Sequence, residues 1–242
     1  MTMVTKKVDP KQHSNRIVEI DFFRGIAIIL MMLFHFLYDL QVFYNINIPS
    51  WNQFWYYEGK LSAILFMLLS GISCTLSKNN LKRGFKVFLI GMLLTIGSYI
   101  LMPEEYIRFG ILHLLGLSMI LLHFIKVIPP VWTGILSVII IILGSIMSLM
   151  TVNTWILSPL GLIHGKFNSM DYYPLFPWFG VFLIGTVIGR IVYKEKKSIF
   201  HKTYKNGFFN FLGRHSLFIY LIHQPIFLII LYVVFHFIFN SN

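Results

Sequence analysis

Acidic residues are what this sequence has fewest of. Nine Asp and Glu stand against 20 Lys and Arg in 242 residues, and all charged residues together make up only 12%. So little charge in so apolar a chain excludes an ordinary soluble domain. Cysteine is limited to Cys74, so no intramolecular disulfide can form and no thiolate metal cluster can be built. The histidines are scattered without a ligand-spaced carboxylate or thiolate beside them, and no metal site is expected. Neither a Walker-type phosphate loop nor a Gly-x-Ser-x-Gly elbow occurs. Repeats and low-complexity segments are missing too. The apolar runs are continuous rather than alternating, which argues against a β-barrel.

What the chain does contain is apolar: 57% hydrophobic and 17% aromatic residues, with a mean hydropathy of +0.73. About seven stretches are long enough to cross a bilayer, near 17–43, 61–77, 85–102, 109–126, 131–151, 174–193 and 215–239. The expected fold is all-α, a polytopic transmembrane helical bundle. Residues 1–16 form a polar tail and 17–239 a single domain. No cleavable signal peptide is expected, because the first hydrophobic segment is too long and lacks a small-residue cleavage site. The net charge of +11 would suggest a nucleic-acid partner in a soluble protein. Here the cations collect in alternate connectors instead, and only Lys60, Arg108 and Lys166 fall on the other side. The positive-inside rule then predicts a cytoplasmic amino terminus and an external carboxyl terminus. The external connectors 44–60 and 151–173 carry Trp51, Trp55, Tyr56, Tyr57, Trp155, Tyr172 and Tyr173. Such rings suit the headgroup level of a bilayer, and they also suit stacking on a sugar.

A polar stripe interrupts the first hydrophobic stretch. Asp21, Arg24 and Asp39 each lie within roughly 40° of His35 around the helix, and Asp21 to Asp39 rises about 27 Å. Ionisable groups inside a bilayer usually mark a functional path. Asp39, one turn beyond His35, can hold the imidazole in one tautomer and make His35 a general base. The alternative is a buried histidine bonded to a backbone carbonyl. Asp21 and Arg24 either pair with each other and snorkel, or help to hold an anionic cofactor.

Three further constellations stand out. Arg108 opens the fourth stretch, with His113 deeper; Arg108 can pair with Asp39, Glu105 or Asp171, or bind a substrate anion. Asp171 and Trp178 lie in the Asp171-Tyr172-Tyr173-Pro174-Leu175-Phe176-Pro177-Trp178 run that leads into the sixth stretch, where acceptor binding competes with a simple cap. In the last stretch, Gly213-Arg214-His215-Ser216 is followed by Tyr220, His223, Gln224 and Pro225. These residues form either packing around a proline kink or a polar inner pocket.

The run Glu19-Ile20-Asp21-Phe22-Phe23-Arg24-Gly25-Ile26-Ala27, with His35 eleven residues after the arginine, resembles the opening helix of transmembrane acyltransferases. Together with Arg108 to Gly116, Asp171 to Trp178 and Gly213 to Pro225, it is similar to the heparan-alpha-glucosaminide N-acetyltransferase catalytic-domain family, including its short bacterial members. The arginine–glycine start and first-helix histidine are also shared with the wider acyltransferase-3 group. Animal members of the family carry a histidine just before a Ser-Trp-Asn run, whereas Ile48 and Pro49 precede Ser50-Trp51-Asn52 here.

The resemblance implies an integral protein of the cell membrane, an acyl-CoA-dependent acyltransferase. It would move an acyl group, in the first place acetyl from acetyl-CoA, from the cytoplasm to a glycan or glycolipid acceptor outside. His35, aligned by Asp39, would be the catalytic pair, as base or transient acyl carrier. Arg108, His113, Asp171 and Trp178 are the acceptor-site candidates, and Asp21, Arg24, Arg214 and His223 the donor-side candidates. The bilayer and the acceptor are the expected partners, and the short chain leaves room for a homo-oligomer that completes the site. A proton-coupled transporter or flippase is the rival reading of the same polar stripe.

Overall fold

The computed structural model describes residues 17–199 and 207–239. The polar tail before residue 17, with Lys202 and Lys205, lies outside the described residues. The regular structure of the described residues is helical, without a β-strand: α1 Val18–Tyr44, α2 Tyr56–Leu76, α3 Asn80–Leu101, α4 Ile111–Ile125, α5 Pro130–Met147, α6 Leu175–Val192, α7 Phe208–Arg214 and α8 Ser216–Val234. Six of the helices are long and apolar enough to cross a membrane. The fourth, α4, has 15 residues and covers about 22 Å, less than a hydrocarbon core of about 30 Å. It tolerates that length because protein surrounds it: Ile111, Leu112, His113, Leu114, Leu115 and Gly116 are all buried.

Each expected hydrophobic stretch contains a helix. The largest shift is at α2. A π turn, Trp51–Trp55, runs directly into Tyr56, so the aromatic residues that read as an interfacial connector already belong to the helical rod. The last stretch is preceded by the short α7, broken from α8 at His215.

Contacts between residues set the helix directions. Arg24 meets Ser73 and Ala27 meets Ser62, so α1 and α2 are antiparallel. Thr95 meets His113, which sets α3 against α4. Gly144 packs on Pro177 and Gly180 on Ser137, which sets α5 against α6. Phe36 packs on Phe227 and Tyr44 on Phe235, so α1 and α8 run the same way. The bundle therefore has a basic end, where α1 begins, and a loop-rich end carrying residues 45–55, 102–110 and 148–174.

Glycines allow the helices to approach closely. A side chain at Gly71 would strike the Phe182 carbonyl, and one at Gly185 the Leu68 carbonyl, which locks α2 to α6. Gly25 lies against the Phe209 backbone and Gly213 against the Asp21 backbone, which presses α7 onto the start of α1. Small residues at such crossings are the usual basis of helix packing in lipid, where burial of apolar area between helices adds little. The core lies between α2, α4 and α6 and includes Met67, Leu114, Phe182 and Leu183, each fully buried.

Candidate functional site

The polar stripe of α1 divides into two separate groups. At the basic end, Asp21 and Arg24 form an ion pair at 3.5 Å, and Arg24 Nη2 donates to Ser73 Oγ at 2.6 Å. Glu19, 2% exposed, accepts the Ile199 N–H at 2.7 Å and the Ser198 hydroxyl, tying the α6–α7 connector to α1. Arg214 Nε donates to the Asn210 carbonyl within α7. Buried Ala27, Ile28 and Met31 then separate this group from the next one.

The second group lies between α1 and α8. His35 Nδ1 is 2.9 Å from the Met31 carbonyl, and His223 Nδ1 is 2.7 Å from the Tyr220 carbonyl. A carbonyl only accepts, so each Nδ1 carries the proton and each Nε2 holds the ring's lone pair. The two rings meet edge to face with centroids 5.0 Å apart. Beside them Gln224 Nε2 donates to Asp39 Oδ1 at 2.7 Å, and Asp39 is completely buried. Asp39 Oδ2, Gln224 Oε1, Gln41 Oε1 and His223 Nε2 are buried with no hydrogen-bond partner among the described residues. Unpaired buried polar atoms are rare and costly, and they concentrate where a ligand supplies the partner.

Two expected pairings take another form. Asp39 does not hold the His35 tautomer: the i−4 carbonyl of the same helix is within reach of Nδ1, and the carboxyl turns to α8 instead. His223 does not join the basic end, because α8 runs parallel to α1 and carries the ring up to His35.

At the loop-rich end, Arg108 pairs with none of Asp39, Glu105 or Asp171. Its guanidinium lies over the rings of Tyr106 at 4.2 Å and Trp155 at 4.7 Å, and it donates to the Tyr106 hydroxyl and the Asn168 carbonyl. This clasp closes residues 103–110 onto 155–172. His113 is saturated as well. Gly110 N–H donates to its Nδ1, and Nε2–H points to Thr95 Oγ1, whose own proton goes to the Ile107 carbonyl. That network caps α4 and leaves the imidazole no free nitrogen.

Asp171 links the loop to the imidazoles. Its Oδ2 accepts the Ile111 N–H at 3.0 Å, and the Tyr220 hydroxyl faces it from α8, one turn before His223. Burial pushes its carboxyl up to about 6, while the bonds from Ile111 and Tyr220 hold it lower than burial alone would. Tyr173, raised by burial and by the Asp171 charge, packs edge-on against Trp178 at 5.5 Å.

His35, Asp39, His223 and Asp171 are thus brought to one region. Asp21, Arg24 and Arg214 lie at the other end, and Arg108 and His113 are bonded into the loop-rich end and the α4 start. Sequence reasoning passed over Glu58, also buried with both oxygens unpartnered. Its signal was present, a lone acid beside the second hydrophobic stretch, but a helix start placed at 61 left it in a connector. Among the described residues no group of His, Cys, Asp or Glu could hold a metal ion.

Residues 16–225 match the family described as heparan-alpha-glucosaminide N-acetyltransferase, catalytic. No curated protein and no solved structure matches the chain.

Proposed function

The chain belongs to the heparan-alpha-glucosaminide N-acetyltransferase catalytic family, and from that premise we propose that it transfers an acetyl group from acetyl-CoA, at the basic end, to an amine or hydroxyl of a glycan or glycolipid at the loop-rich end. The observation that carries the proposal is the His35–His223 pair, with both Nδ1 atoms committed to backbone carbonyls and both Nε2 atoms left to accept a proton. In the reaction, His35 Nε2 takes the acceptor proton as the acceptor attacks the thioester carbonyl. The carbon–sulfur bond then breaks, and the proton passes to the departing thiolate. His223 shares the charge that builds on His35, and the Asp39–Gln224 pair orients the acceptor. The basic connectors meet the phosphates of coenzyme A.

In this reading the basic end is cytoplasmic, as the distribution of lysine and arginine favours, and the cell membrane is the site of action. The transporter reading loses support from the interruption of the stripe. Asp21 and Arg24 are paired with each other, and apolar residues separate them from His35.

The test is reconstitution into liposomes with radiolabelled acetyl-CoA outside and an amino-sugar acceptor sealed inside. Protein inserted with its basic end outward should label the enclosed acceptor. Labelling only when donor and acceptor share a compartment would contradict transfer across the membrane.

A further inference from the structure

Glu58 lies in the first turn of α2, is 9% exposed, and has no hydrogen-bond partner for either carboxyl oxygen among the described residues. Its surroundings explain why. The turn before α2 is itself helical, and the Tyr56 N–H is already bonded to the Gln53 and Trp51 carbonyls, so Glu58 does not serve as a cap. The cations expected at this end of the bundle are engaged or exposed elsewhere. Lys60 lies over the Tyr56 ring, Arg108 is held by Tyr106 and Trp155, and Lys166 is exposed. The next residue, Gly59, abuts the Phe34 ring. That ring meets His35 edge-on at 5.6 Å and stacks on Trp51 at 5.5 Å. One aromatic ring therefore stands between the backbone beside Glu58 and the proposed base.

A buried carboxyl with no donor lowers stability. On the His35 side of α1, Asp39 Oδ2, Gln224 Oε1 and His223 Nε2 also lack a partner among the described residues. Among the described residues the chain supplies no hydrogen-bond partner to any of these atoms.

We infer that Glu58 is a further acceptor-binding residue, whose carboxyl receives a donor-bearing group of the substrate, an ammonium or hydroxyl, with the Phe34 ring between its helix turn and His35. This assignment rests on the acyl-transfer reading for the identity of the substrate, but it can be tested by binding alone.

The experiment is thermal unfolding of the purified full chain in detergent, for wild type, Glu58→Gln and Glu58→Asp, with and without glucosamine. Without ligand, Glu58→Gln should unfold at or above the wild-type temperature, since it removes an unpaired carboxyl. Glucosamine should raise the wild-type midpoint by roughly 3–6 °C at ten times its dissociation constant. It should leave Glu58→Gln unmoved and shift Glu58→Asp partway. A ligand-free midpoint lowered in Glu58→Gln would make the carboxyl a structural group and overturn the assignment. So would a glucosamine shift that is absent from wild type or equal in wild type and Glu58→Gln. If the shift depends on Glu58 but acetyl-CoA is never consumed, the acyl-transfer reading fails while the binding residue stands.

Discussion

At the basic end of α1, Glu19, Asp21 and Arg24 are bonded to the connector, to each other and to α2. At the other end, Asp39, Gln224 and His223 meet one another and still leave an oxygen or nitrogen without a partner. Both ends contain ionisable groups in apolar surroundings, and both would attract notice as intramembrane charges. The difference is saturation. A satisfied polar cluster joins helices, whereas an unsatisfied one holds bonding capacity for a ligand at a cost to stability. The histidines repeat the contrast: His113 has both nitrogens engaged, and His35 and His223 have only Nδ1 bonded to backbone.

The contrast can be broken at several residues. Among the residues around His35, the largest effect is expected at His223. Replacing it with Gln should lower acetyl transfer by about 10²-fold or more while the unfolding midpoint stays near wild type. A large loss of stability with unchanged turnover would return His223 to packing. His113→Leu should do the reverse. It strands the Gly110 N–H at the α4 start and removes the bond that Thr95 Oγ1 accepts, and should cost about 3 kcal/mol of stability, with kcat retained in the protein that folds. Glu19→Ala removes the bonds to Ser198 and Ile199 and should cost about 2 kcal/mol, read by chemical unfolding, with KM for acetyl-CoA unchanged.

The most gradual expected effect is a pH dependence at Asp171. Its carboxyl is raised from 3.8 to about 6 by burial, so the folded state favours the protonated form. That contribution is fully present below about pH 4 and is lost as pH rises from there through 6, amounting to about 3 kcal/mol by pH 7. Asp171→Asn should abolish the slope in this window. A variant that keeps the wild-type slope would assign the titration to another group.

Much of this arrangement was legible in the residues. Continuous apolar runs placed the helices, and the spacing of Asp21, Arg24, His35 and Asp39 placed them on one face of α1. Periodicity could not show which partner each polar atom would choose. His35 prefers a carbonyl of its own helix to Asp39, a choice made by local reach rather than by sequence spacing. The parallel course of α1 and α8 brings His223 to His35 across 188 residues of chain, and no local pattern encodes that meeting. Arg108 reads as a free cation until the loops fold and place Tyr106 and Trp155 against it. Glu58 was hidden by an aromatic run, Trp51 to Tyr57, that resembles a headgroup belt but continues as helix.

The central claim is that free imidazole nitrogen, not intramembrane histidine as such, marks the reacting centre. Steady-state acetyl-CoA turnover by purified His35→Gln and His113→Gln, assayed side by side, tests it most directly. The account expects His35→Gln to lose about 10³-fold in kcat with its fold intact, and His113→Gln to keep its kcat while unfolding at a lower temperature. Wild-type turnover by His35→Gln would contradict it.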